Sequence, residues 1–521
     1  MGSEACHATV LERFWRRSTD YCKCTASALA LEFQYERILR ANRGLPRMIT
    51  LENRASFDLD RYFRVAWQGE HVQLASAAVD NIAKCRQSFL KLIDEDDDIV
   101  VYGVTSGYGQ NAYQRFSREE RVTHARKVSY ATSVAFGQPL PTRVTRGFVF
   151  ARLANFIEGH AAVSPELAQI VATMLNQGEL PEVPSRGMGC AGEIQPLGHL
   201  FSHIAKERDM GEKESLSLVN GSPCASALAA DVLLSGRRRL VLAYQIFALS
   251  LEALRAPLGA YDSALESLWH ADAEQEAVRK LRSLTAGGGD ERRSFQAPVS
   301  WRIAPRVLAR AERVLSQLQQ VAEDALGSVT DNPVYIPPDE THPLGRVFST
   351  GGYHNGLAYP AIDDVSASFA DLATLCDRQI TKLLDGRVSH LPNQLLAADD
   401  GYIGVAGMAA VGYAEEARHA AARSFLPGSE GGGFGQNDVG VPTFWAFNNY
   451  TRTCQAFDAL LAYLGVTASQ AFYVTDRKAP PALEDCLSTI RAYVSPVTES
   501  RALGPEVEQL ARCFSERAVT A

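Results

Sequence analysis

Three glycine-punctuated stretches hold the residues best placed to do chemistry. The first, DEDDDIVVYGVTSGYGQ over 94–110, runs from acids through a β-branched run into three glycines. It predicts a short strand feeding a glycine-rich loop, with Tyr102 where the two meet. The glycines match neither phosphate-loop spacing, so phosphate binding is not the expectation. The second, GMGCAGEIQPL over 187–197, sets Cys190 and Ala191 among glycines just ahead of an apolar stretch. The third, GSEGGGFGQND over 428–438, is too long for a simple turn and reads as a loop able to act as a binding lid. The ten cysteines are scattered. Cys22 and Cys24 form the one close pair, with no second pair or histidine at ligand spacing, so no metal site is expected. Most cysteines read as buried thiols of a cytosolic protein.

The elements that must position these stretches are mostly helical. Apolar residues recur every three or four positions over 72–95, 142–158, 165–176, 193–207, 222–255, 302–326, 361–384, 402–424, 443–473 and 504–513. Long helices with short connectors predict an antiparallel bundle. Residues 48–67 predict a short strand, a turn and a helix. The expected fold is therefore mostly α: a long antiparallel helical bundle with a smaller N-terminal α+β part. Three regions are expected: an extension over 1–47, with an amphipathic helix at 8–17; a part over 48–220 carrying the glycine loops; and the bundle with C-terminal helices over 221–521. A chain of 521 residues, 46% apolar, can bury a large core. Its net charge of −8 and lack of a basic run exclude nucleic acid and anionic membrane as expected partners. No apolar run reads as a bilayer span. The N-terminus carries Glu4, Arg13, Arg16 and Arg17 without an apolar core, which argues against a secretory signal and for the cytoplasm.

Several segments fall in a telling order: VYGVTSGYG (101–109), RLANFIEG (152–159), KESLSLVNG (213–221), SVTDNPV (328–334), GGYHNG (351–356), VGYAEEAR (411–418) and GQNDVG (435–440). Together they resemble the motifs of the histidine, phenylalanine and tyrosine ammonia-lyase and aminomutase family. The resemblance runs from about residue 48 to the end. It implies an all-helical homotetramer whose active sites are shared between chains. It also implies a prosthetic group, a methylidene-imidazolone made from an Ala-Ser-Gly tripeptide. The family pattern Gly-Ala-Ser-Gly-Asp-Leu-x-Pro-Leu lies over 189–197, so the tripeptide falls on Cys190, Ala191 and Gly192. Alanine has no leaving group on its β-carbon. The group is therefore expected to be absent, unless the triad slips by one residue and Cys190 takes the part of serine.

Further roles follow from the resemblance. Tyr102 matches the base that removes the substrate's β-proton, and Asn220 an asparagine beside the prosthetic group. Gln296 also matches. Arg302 matches the arginine that holds the substrate carboxylate, a task suited to the guanidinium fork. Tyr353 stands at an aromatic pocket position. Glu416 stands where a helix glutamate reaches the amine; it reads equally as a solvated charge paired with Arg418. Tyr130 and Ala131 occupy the positions that help select the substrate ring. Tyr102 is expected to have a pKa drawn toward neutrality by donors or by Arg302. Three departures stand out: Ala297 replaces an aspartate, Val299 a second catalytic tyrosine, and Glu193 an aspartate. The expectation is an enzyme that works without the prosthetic group on a small carboxylated substrate. The substrate is aromatic or amino-acid-derived, and the step is elimination, dehydration, isomerisation or cyclisation. An inactivated ammonia-lyase or 2,3-aminomutase and a non-catalytic homologue are the alternatives.

Overall fold

The computed structural model describes residues 48–126, 130–397, 400–429 and 435–519. The expected helix at 8–17 and the centre of the 428–438 loop lie outside the described residues. The chain enters through β1 (Met48–Leu51), which pairs in parallel with β2 (His71–Leu74), Ile49 opposite Val72. A helical crossover from Leu59 to Trp67 joins them. The 72–95 stretch is thus strand first and helix second. Helix α1 (Ser76–Glu95) starts only at Ser76 and buries Ala78, Ile82, Cys85, Phe89 and Ile93 on one face.

The strand expected at 99–102 does not form. Instead the Val101 carbonyl accepts the N–H groups of Val104, Thr105 and Ser106, at 3.0–3.2 Å. Thr105 Oγ1 accepts the Val101 N–H (2.8 Å) and donates to the Ile99 carbonyl (2.7 Å). Among the described residues no strand pairs with the β-branched run, and its backbone groups bond within the loop. Helix α2 (Arg118–Ala125) follows, opened by a capping box of Ser117 and Glu120. Arg121, 5% exposed, donates to Asp94 Oδ1 (2.7 Å) and so ties α2 to the end of α1.

Next come α3 (Thr142–Phe156), α4 (Pro165–Met174) and α5 (Ile194–Phe201). The bundle proper is α6 (Pro223–Ala253), α7 (Ala304–Leu326), α8 (Ala358–Leu384), α9 (Ala406–Ala420), α10 (Thr443–Val474) and α11 (Gly504–Val519). Helix α10 packs on α6, α8, α9 and α11, and α7 on α6 and α8. Helices α6 and α10 are apolar nearly all round and sit at the centre. One helical stretch, Glu214–Ala253, has the length and hydropathy of a bilayer span, contrary to the sequence reading; 94% of its most apolar window is buried inside the bundle. Inside the bundle, Arg239 meets Asp458 in a two-pronged contact at 3.0–3.1 Å, joining α6 to α10. Between α7 and α8 a small hairpin, β3 (Val334–Ile336) with β4 (Arg346–Phe348), interrupts the helices.

Candidate active site

The residues at 190–193 sit where three elements meet. The Cys190 carbonyl accepts the Val441 N–H (3.0 Å), just ahead of α10. Ala191 is 7% exposed. Gly192 has φ +65, and a Cβ there would lie 3.4 Å from the Tyr353 side chain. Tyr353 therefore lies over the tripeptide. Glu193, 1% exposed, accepts the N–H groups of Cys224 (2.5 Å) and Ala225 (2.6 Å) at the start of α6. An anion at a helix N-terminus is favourable, but burial is the larger effect and pushes this carboxyl up to about 7. Burial likewise pushes the thiols of Cys190 and Cys224 up, with Glu193 raising them further.

Asn220 is held from beneath. Arg152, fully buried, donates to the carbonyls of Ser217 and Asn220, the latter at 2.5 Å. Asn220 Oδ1 accepts the Gly221 N–H (2.9 Å). Gly221 has φ +101, and a Cβ there would come within 2.6 Å of the Arg152 guanidinium, so glycine is required. Lys213 and Asp331, both buried, pair at 2.6 Å and join this segment to 328–334. The Arg152, Lys213 and Asp331 motifs are thus the scaffold that aims Asn220.

The Tyr102 loop closes on the same segment: a Cβ at Gly103 would meet Leu216 Cδ2 at 2.7 Å. The Tyr102 hydroxyl accepts the Gly109 N–H at 2.9 Å. Burial pushes its pKa above the ordinary phenol value; the Gly109 N–H opposes this, while Tyr353 and Tyr108 add to it. The expected fall toward neutrality is corrected here. Among the described residues, no cation is one of the groups that act on Tyr102.

One chain thus gathers Tyr102, Cys190, Ala191, Gly192, Asn220 and Tyr353. It does not bring the other candidates to them. Gln296, Arg302 and Glu416 are all exposed. Arg302 Nε donates to the Ala297 carbonyl (2.9 Å); on the single chain its guanidinium is exposed and held by its own loop. Glu416 lies on the exposed side of α9; it is Glu415 that pairs with Arg418, at 2.6 Å. Tyr130 and Ala131 form a single 3-10 turn, Tyr130–Thr132, in which Ala131 is exposed. That turn packs on α5, where a Cβ at Gly198 would strike Thr132 Oγ1 at 2.2 Å. A surface cleft of about 760 Å³ between the ends of α8 and α9, lined by Leu384, Arg387, Gln394 and Met408, shares no residue with the Tyr102 cluster.

A family model described as aromatic amino acid lyase matches residues 57–492. The chain belongs to that family. It is 26% identical over 498 residues to a histidine ammonia-lyase of Symbiobacterium thermophilum, covering 89% of this chain and 96% of the relative. It is 30% identical over 372 residues to that of Streptomyces avermitilis, covering 65% and 70%. Its fold matches an ergothioneine-degrading enzyme of Treponema denticola (TM-score 0.82, 19% identity, 91% and 99% covered). It also matches a tyrosine aminomutase of Streptomyces globisporus (TM-score 0.79, 22% identity, 90% and 97% covered). The aromatic lyase family model takes in all three glycine stretches. Against this frame, the side chains at 190–192 do not fit the methylidene-imidazolone group. Ala191 offers only a methyl, and Cys190 stands one position before it.

Proposed function

We propose that this chain is a lyase that works without the methylidene-imidazolone group, with Tyr102 as its base. The observation that carries this is that Tyr102 is acted on by Tyr353, which lies over Gly192, next to an Ala191 that lacks a leaving group. Expelling a free amine from an amino acid needs an electrophile to capture it. Without one, the substrate must carry a better leaving group. A quaternary ammonium is such a group. It has no N–H or lone pair to capture, and it departs as a neutral tertiary amine. The substrate class is therefore a small betaine of an aromatic or imidazole amino acid, with its carboxylate held by Arg302. The ergothioneine-degrading fold neighbour supports the same choice. In the step, the Tyr102 oxygen takes the β-proton. The C–H pair becomes the new double bond, and the C–N pair leaves with the amine. The product is an α,β-unsaturated acid.

The reading includes a homotetramer. Gln296 and Arg302 lie exposed on the single chain, near exposed Phe295 and Val299 in the sequence, and Glu416 is exposed on α9. A second copy would cover this surface and bring the carboxylate-binding set to the Tyr102 cluster. The test is a substrate panel. The protein is incubated with trimethylammonium betaines, ergothioneine included, and with free histidine, phenylalanine and tyrosine. Amine release from a betaine alone is the expected result. Ammonia release from a free amino acid would overturn it.

A further inference from the structure

Arg302 ends a single helical turn, Val299–Arg302, and one turn has no stability of its own. Its direction must come from what it packs on. Proline stands at 305, so the Trp301 carbonyl has no N–H four residues on to accept. The Tyr261 hydroxyl donates to it instead, at 2.7 Å. The carbonyl before it, that of Ser300, accepts Nε2 of Gln379 from α8 at 3.0 Å. Gln379 Oε1 accepts the Ser250 hydroxyl of α6 (2.8 Å), and Ser250 Oγ accepts the Trp301 indole N–H (3.1 Å). These bonds close a ring from the turn through α8 and α6 and back to the turn. Ser250, Gln379 and Trp301 are at most 1% exposed. A carbonyl can only accept, so the Gln379 amide sits one way round, nitrogen to Ser300 and oxygen to Ser250.

We propose that Gln379 is a positioning residue for the substrate carboxylate, acting through Arg302 and not on the substrate. Hydrogen bonds weaken steeply when donor and acceptor are misaligned. Arg302 Nε is bound to the Ala297 carbonyl at 2.9 Å, which holds the guanidinium against its own turn. Gln379 holds that turn against the bundle. Together they set the direction in which the guanidinium faces. An apolar side chain of the same size would serve packing alone; a buried amide bonded at both ends also serves direction. This deepens the reading above and rests on Arg302 as the carboxylate's partner.

The test is a double-mutant cycle on the binding of cinnamate and urocanate, unsaturated acids of the proposed product class, read by ligand-observed NMR. Gln379→Met keeps the bulk and loses both hydrogen bonds. It should weaken binding roughly tenfold, and should cost nothing more when added to Arg302→Ala. A merely structural role would weaken binding again in the Arg302→Ala background. Unchanged affinity in Gln379→Met, or an equal loss in both backgrounds, overturns the inference and leaves the role of Arg302 standing. If the parent binds neither acid, or Arg302→Ala binds as tightly as the parent, the carboxylate reading is overturned and this inference with it. If Gln379→Met does not assemble as the parent does by light scattering, the same cycle is run with Tyr261→Phe, which frees the Trp301 carbonyl and keeps the ring.

Discussion

At Tyr102 the local forces pull against its proposed task. The phenol loses its proton with difficulty, because burial and two neighbouring phenols disfavour the charge and only the Gly109 N–H favours it. A base of this kind works through its phenolate fraction, which grows with pH. Turnover on a betaine should therefore climb through the alkaline range, with no plateau below the free phenol value of about 10. Arg302 does not change the sign, since the bound carboxylate offsets its charge. A neutral plateau in the pH–rate profile would contradict this. Tyr102→Phe should lower turnover by about 10²–10⁴. It should leave the unfolding midpoint nearly unmoved, because the hydroxyl accepts one loop N–H and little else. The loop motif marked Tyr102 as the candidate base, but its environment was not legible. Sequence shows the glycines around it; it does not show that Tyr353 and Tyr108, and no cation among the described residues, act on its phenol. Glu193 was legible as a departure and opaque as a cap, because its partners are backbone groups 31 and 32 positions away.

Among the elements, α6 is the pillar on which the site is hung. Its first turn is closed by Glu193, so the strength of that cap depends on pH. The Glu193 carboxyl sits near 7 in the folded protein against an ordinary 4.5. Between those values the unfolded chain has released this proton and the folded chain has kept it. Stability therefore falls as pH rises from 4.5 to about 7, and this contribution is constant above that. Glu193→Gln removes the titration. The urea midpoint of the parent should fall across that window relative to the variant's; parallel curves would show that Glu193 does not titrate there. Long helices such as α6, α8 and α10 were readable because apolar residues recur at helical spacing over many turns. The 99–102 segment misled because β-branched residues report a fit to extended backbone, and a loop can use the same preference without a partner strand. The 72–74 strand was hidden by running straight into the apolar face of α1.

For the whole molecule, the division between buried and exposed candidates is the informative feature. Tyr102, Asn220 and Tyr353 converge within one chain, while Gln296, Arg302 and Glu416 do not. Motifs alone could not separate the two sets, since a motif carries a residue's identity and not its burial. If copies share sites, inactive variants should complement. Tyr102→Phe and Arg302→Ala chains, unfolded and refolded together, should regain a sizeable part of parental turnover, because some mixed sites carry both native residues. No recovery, with assembly confirmed by light scattering, would place the whole site in one chain.

The central claim is that a working enzyme can be built here around an unmodified Ala191. Intact mass spectrometry of a preparation that turns over a betaine tests it most directly. The account predicts the mass of the unmodified chain, 56.8 kDa before any start-methionine removal. A deficit of two waters, or of one water and one hydrogen sulfide, would show a cyclised tripeptide and contradict it.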